Sequence, residues 1–126
     1  MQPALPFIVT LMMHRIQHNA TSKQKLDLIM PKAYWIALVT VTDPDAYKGY
    51  QAIAPAAFNK YGGRFIVRGG PSVTVEGAEW QRHVVIEFDS MDLATACYNS
   101  PEYQEARAHR DAAATASIVI VEGLPS

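Results

Sequence analysis

The sequence has little of several features that would point directly to a function. It contains a single cysteine, Cys97, which excludes an internal disulfide and a metal site built from several cysteines. Its 11 basic and 12 acidic residues give a formal net charge of -1, so the basic excess typical of nucleic-acid-binding proteins is missing. These properties predict a cytoplasmic globular protein that binds no nucleic acid.

Long apolar stretches and targeting signals are missing as well. The segment LPFIVTLMM has nine residues, whereas a membrane-spanning helix needs about 20. Positive charges follow this segment instead of preceding it, which is not the order of a secretory signal. We therefore predict no membrane association. Residues 1–29 form an N-terminal extension, interpreted either as upstream readthrough before Met30 or as an arm that packs on something, and residues 30–126 form a single domain.

The region after residue 30 is strongly patterned. Residues 33–41, AYWIALVTV, are continuously apolar and predict a strand buried on both faces. Asp43 and Pro44 then provide an N-cap and a first helical residue for an amphipathic helix. Pro55 predicts a kink or a break in this helix. Gly62 is placed to end it in a left-handed conformation.

Three more strands and a second helical region follow. The segments GRFIVRG, RHVVIEF and SIVIVEG predict strands, and PSVTVEG predicts a bent edge strand or a hairpin arm. Ser90 and Ser100 are N-cap candidates for two successive helical pieces. The order strand, helix, strand, strand, helix, strand predicts an α+β fold: a ferredoxin-like βαββαβ sandwich with a four-stranded, mainly antiparallel sheet.

The strands carry apolar residues on both faces, although helices would cover only one face of such a sheet. A large apolar surface is unusual on a monomer, so the second face needs a cover. Two covers remain open. One is an identical sheet from a second copy, related by a two-fold axis. The other is the N-terminal extension, folded back through Phe7 to Met13.

Several segments together resemble a known family. YWIALVTVTDPDAYKGY, YGGRFIVRGG, VVIEF and CYNSPEYQEA, in this order and spacing, are similar to the domain-of-unknown-function family 1330 from about Met30 to Gly123. The resemblance implies a dimeric α+β barrel in which two ferredoxin-like sheets face each other and the helices lie outside. It implies no established reaction, and the similarity in fold to small monooxygenases does not supply one.

Polar side chains on the central strands are the main candidates for a site. Regular alternation places Arg64 and Arg68 on one face of their strand, and His83 and Glu87 on one face of the next. If these faces coincide, an arginine meets Glu87 and His83, and the cluster could hold a carboxylate or phenolate. The alternative is a structural ion pair near a dimer interface. Four tyrosines could line a pocket between helices and sheet, namely Tyr34, Tyr50, Tyr98 and Tyr103.

The motif search assigns no reaction to these residues. There is no Gly-x-Ser-x-Gly element, no paired catalytic carboxylates, no phosphate-binding loop and no metal-ligand spacing around the histidines. We therefore predict no cofactor and no metal. The favoured hypothesis is a homodimer that binds a small organic ligand, aromatic or carboxylate, in a cleft between sheet and helices. The alternatives are a non-catalytic structural or protein-interaction dimer, and a cofactor-independent enzyme resembling monooxygenases or isomerases.

Overall fold

The computed structural model describes residues 30–125, and the predicted N-terminal extension lies outside them. The strands and helices are β1 (Ala33–Val41), α1 (Pro44–Lys60), β2 (Arg64–Arg68), β3 (Arg82–Phe88), α2 (Met91–Asn99), α3 (Pro101–Asp111) and β4 (Ala114–Glu122). Within this part of the chain, no helix is long and apolar enough to cross a membrane.

The four strands form one sheet in the order β2-β3-β1-β4. Every neighbouring pair is antiparallel. The two strands that are central in the sheet are β1 and β3, and each helical connection crosses over one of them to reach the opposite edge. This is the predicted ferredoxin-like βαββαβ arrangement, which the structure confirms.

The helix starts lie where the capping residues predict them. Asp43 accepts a hydrogen bond from the Ala46 amide at 3.2 Å and begins α1. Ser90 accepts one from the Leu93 amide at 3.1 Å and begins α2. Ser100 separates α2 from α3. Its hydroxyl caps the start of α3 and donates to a carbonyl at the end of α2. Each side chain satisfies a backbone group that the helix itself leaves unpaired.

The predicted break at Pro55 does not occur, and α1 continues without interruption to Lys60. Proline in a helix interior costs about 3 kcal/mol because it removes one hydrogen bond and crowds the preceding turn. Ala54, Ala57 and Phe58 flank this position and are all buried. Their packing on the sheet offsets that cost, so tertiary contacts override the local preference.

The core lies between the helices and one face of the sheet and is centred on Trp35, which is only 1% exposed. Its ring lies edge-on to Phe58 of α1 at 5.0 Å and to Tyr103 of α3 at 4.8 Å, measured between ring centroids. Tyr98 of α2 lies at 5.7 Å. One side chain of β1 therefore contacts all three helices.

Among residues 30–125, no helix covers the other face of the sheet, which we call the open face. In β1 the side chains of the helix-covered face are buried, whereas those of the open face are only partly so. The open face carries Tyr34, Ile36, Leu38, Arg64, Val67, His83, Val85, Glu87, Val119 and Val121. Val67, Val119 and Val121 are 42–53% exposed. The predicted apolar character of both faces is thus present in the folded chain.

The glycine-rich stretch around β2 has two structural roles. Gly62 has a φ of 79° and turns the chain out of α1 as predicted, and Gly63 lies where an added Cβ would come within 2.9 Å of the Phe88 ring.

Beyond Gly69 the predicted continuation PSVTVEG is not a strand, since residues 70–81 have no regular secondary structure. Pro71 has no backbone N–H to donate to a neighbouring strand, and β2 ends before it.

We predict that Gly63→Ala destabilises the fold by about 1–3 kcal/mol, because the new methyl group overpacks the core against Phe88 and Ile86. Urea denaturation measures the change. Gly70→Ala is the matched control: a Cβ there meets nothing within 4 Å, so its effect should stay within about 0.5 kcal/mol. Equal stability of the two variants would show that Gly63 is not needed for close packing.

Candidate functional site

A β-bulge in β2 decides which arginine reaches which face of the sheet. Arg64 pairs with Glu87 on the open face. The register shifts after Phe65, so that Arg68 pairs with Val84 on the helix-covered face. The prediction that Arg64 and Arg68 share a face is therefore wrong, because the extra residue of a bulge reverses the alternation that follows it.

The sequence predicts that one of two arginines, Arg64 or Arg68, contacts Glu87. On the open face, the arginine that does so is Arg64. Its Nη2 donates to Glu87 Oε1 at 3.0 Å and to Asp89 Oδ1 at 3.2 Å. Tyr34 donates to the other Glu87 oxygen at 3.0 Å, and Lys32 donates to Asp89 at 3.0 Å. Two cations thus meet two carboxylates, and the network is neutral and internally satisfied. This arrangement favours a structural role over the binding of a charged ligand.

The electrostatics of this network follow from its hydrogen bonds. Donation from Arg64 lowers the pKa of Glu87, and donation from Lys32 lowers the pKa of Asp89. Conversely, the hydrogen bond to Glu87 raises the pKa of Tyr34, since the phenol must stay protonated to donate. Neither carboxylate is suited to act as a base at neutral pH.

His83 and Cys97 do not form reactive centres with their neighbours. His83 lies on the open face opposite Leu38, outside the Arg64 network, and its Nδ1 is buried without a partner. Burial raises the pKa of the Cys97 thiol to about 12, as expected for a small core residue. Among residues 30–125, no three His, Cys, Asp or Glu side chains are grouped so as to hold a metal ion.

The helix-covered side contains a small cleft between α1 and the sheet, with a cavity volume of about 80 Å³. Its apolar floor and walls come from Trp35, Phe58, Val84, Ile86 and Ile118, and Pro55 lies on the α1 side. The lining follows β1 from Trp35 through Ala37 to Val39, so the cleft extends from the aromatic core toward the end of the sheet where Val39 pairs with Arg82.

Three arginines line this cleft: Arg68, Arg82 and Arg110. The Arg68 guanidinium lies over the Phe65 ring, 3.9 Å from its centroid, which fixes it at the wall. Arg82 lies beside Gly69, whose φ of 71° and missing side chain leave room for the guanidinium; a Cβ at Gly69 would clash with it. Arg110 projects from α3 and is 6% exposed.

Tyrosine hydroxyls complete the polar part of the cleft. Tyr47 and Tyr50 line it from α1, with ring centroids 5.4 Å apart. The Tyr50 hydroxyl lies 3.0 Å from that of Tyr103, which is buried behind it. Burial raises the pKa of all three phenols, so they remain protonated at neutral pH. They can donate hydrogen bonds but do not supply a base.

The predicted site residues thus separate into two groups. Tyr50 and Arg68 line the cleft, with Tyr103 directly behind, and Tyr98 packs in the core against Trp35. Tyr34, Arg64, His83 and Glu87 lie on the opposite face of the sheet.

The sequence reasoning missed Tyr47, Arg82 and Arg110. A signal existed for two of them. Alternation along β3 places Arg82 on the same face as Val84 and Ile86, and these apolar residues indicate the buried face. Arg110 lies seven residues after Tyr103 on the buried side of α3.

Comparison with known proteins places this geometry in context. The model of a family described as a domain of unknown function, DUF1330, matches residues 32–124. Among curated proteins, no significant match is found.

Solved structures of bacterial proteins show the same fold. A protein of unknown function from Rhodopseudomonas palustris is 18% identical, with a TM-score of 0.65 over 84% of this chain and 95% of the other. SnoaB, a cofactor-independent oxygenase from Streptomyces nogalater, is 15% identical, with a TM-score of 0.53 over 76% and 96%. A dimeric protein of unknown function with a ferredoxin-like fold, from Bacteroides fragilis, is 16% identical, with a TM-score of 0.53 over 75% and 99%.

We predict that Arg64→Gln raises the pKa of Glu87 toward the ordinary value of about 4.3, because the largest stabilisation of the carboxylate is lost. In the wild type, the depressed pKa contributes stability that is present above the ordinary pKa and is lost as the pH falls through the folded-state value. The variant should lose less stability over this acid range. Titration of the side-chain carboxyl by NMR measures the pKa. Arg107→Gln, on the outer side of α3 and away from Glu87, is the control; an unshifted Glu87 in the Arg64 variant would contradict the assignment.

Proposed function

The chain belongs to the DUF1330 family over residues 32–124, and we propose that it acts as a homodimer that binds a small organic ligand, aromatic or carboxylate, in the cleft between α1 and the sheet. The proposal has two parts, because the two faces of the sheet differ. The open face supplies the dimer contact, and the helix-covered face supplies the ligand site.

The apolar side chains of the open face support dimerisation. Val119 and Val121 of the edge strand β4 are 53% and 45% exposed, and Val67 of the opposite edge is 42% exposed. Between them lie the partly buried Ile36 and Val85 of the central strands. A face that carries an apolar band from one edge strand to the other is stabilised by burial against a second such face. The Bacteroides fragilis neighbour, with the same type of fold, is described as dimeric.

The observation that carries the ligand proposal is the cleft itself. It combines an apolar floor, which includes Trp35 and Phe58, with a small number of hydrogen-bond donors at fixed positions. Sites for small organic molecules have this composition. Of the described residues, those lining the cleft include no His, Asp, Glu or Cys. The proposed activity is therefore binding, and no reaction is assigned to the cleft.

The dimer is tested by Val119→Glu, measured as molar mass by light scattering after size-exclusion chromatography. We expect the full-length chain to be dimeric and the variant to be monomeric, since burying a carboxylate in an apolar interface costs several kcal/mol. Ala52→Glu introduces the same charge at an exposed position of α1 and should leave the dimer intact. A monomeric full-length chain, or a Val119 variant that stays dimeric, would refute this interface.

The ligand site is tested by titration with benzamide and benzoate, two planar aromatic probes of the same size. The indole N–H resonance of Trp35 reports binding, because its ring forms part of the cleft floor. Val84→Phe should weaken the binding of either probe at least about tenfold by filling the cleft, as the shape of a pocket determines its occupancy. Val73→Phe, at a position 82% exposed, should have no effect. If neither probe perturbs Trp35, the ligand proposal fails.

A further inference from the structure

The cleft has a charge imbalance that the chain as a whole does not have. The protein has a net charge of -1, yet Arg68, Arg82 and Arg110 line one cleft to which the described residues contribute no acidic side chain. Lys48 lines a shallower depression that continues from the cleft and shares Tyr47 and Arg82 with it. Cations are thus concentrated in and beside a partly enclosed cleft whose lining is mainly apolar.

Arg110 is the clearest sign that a partner of opposite charge fits here. It is 6% exposed, and its Nε is buried with no hydrogen-bond acceptor among residues 30–125. The one carboxylate near it among the described residues is that of Asp111, 3.5 Å from Nη1 and itself 54% exposed. A buried donor left unpaired costs about 1–3 kcal/mol, and more when it is charged. An anion in the cleft would remove this cost.

Arg82 repeats the pattern from a different element. Its Nε is also buried without an acceptor in the part of the chain that the structure describes. Arg82 and Arg110 both lie close enough to the Tyr47 hydroxyl to lower its pKa, although burial has the larger, opposite effect. The two guanidinium groups, one from β3 and one from α3, therefore both lie in the lining of the cleft and near Tyr47. This placement is the geometry that an anionic group requires, because each planar guanidinium offers several donors to a carboxylate.

The remaining lining specifies the rest of the ligand. Trp35 and Phe58 form an apolar floor suited to a flat ring, and Tyr47 and Tyr50 line the α1 side of the cleft. Resting on the proposed ligand-binding cleft, the geometry points to an aromatic carboxylate as the class of ligand, with its carboxylate held by Arg82 and Arg110 and its ring against Trp35. The neutral network of Arg64 and Glu87 on the open face has no part in this recognition.

The test compares benzoate with benzamide, which match in shape and differ in charge, by following the Trp35 indole resonance. We expect the wild type to bind benzoate at least about tenfold more tightly than benzamide, since charge-assisted hydrogen bonds are about twice as strong as neutral ones. Arg110→Gln and Arg82→Gln should each reduce this ratio at least about threefold while leaving benzamide binding nearly unchanged. Arg107→Gln, one turn from Arg110 and outside the cleft lining, should preserve the ratio.

The outcomes distinguish a failure of this inference from a failure of the proposed ligand site. Equal binding of both probes by the wild type overturns the carboxylate assignment and leaves the cleft as a ligand site. A benzoate preference that survives both glutamine variants also overturns it, because the anion would then be held elsewhere. Absence of binding by either probe overturns the ligand site itself. Because Arg110 is buried, the thermal unfolding of the variants is measured first. Position 82 is half-buried, so Arg82→Gln still tests the inference if the Arg110 variant does not fold.

Discussion

The packing of Trp35 is the contact on which the rest of the molecule depends. Its ring meets Phe58, Tyr98 and Tyr103, one residue from each of the three helices. The helices are therefore fixed to β1 at one end of the sheet. The cleft between α1 and the sheet begins at this aromatic cluster, with Trp35 in its lining, and follows β1 through Ala37 to Val39. One side chain thus organises both the core and the cleft.

The division of charge between the two faces depends on backbone details of β2. Before the bulge that follows Phe65, Arg64 faces Glu87 on one side of the sheet. After the bulge, Arg68 faces the cleft on the other side. At the end of the strand, Gly69 leaves room for Arg82. The cations on the open face are neutralised by Glu87 and by Asp89, whereas those in the cleft have no acidic partner in the lining. The same short strand therefore separates a structural network from a candidate binding site.

Much of the fold could be predicted from the sequence, because its signals are local. The apolar run of β1, the caps at Asp43 and Ser100, and the turn at Gly62 act over a few residues, and the structure has each of them. The site depends on contacts between distant segments. A bulge has no clear sequence pattern, so the faces of Arg64 and Arg68 could not be assigned correctly. The meeting of Arg82 with Arg110 requires the relative position of β3 and α3, which no periodicity supplies.

The connection between β2 and β3 has a different kind of consequence. Its ends are attached to the sheet: the Gly69 amide donates to the His83 carbonyl at 2.8 Å, and Gln81 accepts from the Val41 amide at 2.8 Å. Between them the chain is exposed, with Val75 at 87%. Lengthening such a segment costs little, since doubling a loop adds only about 0.6 kcal/mol of closure entropy. Residues can therefore be inserted or removed in this segment while the pairing of β2 with β3 is kept.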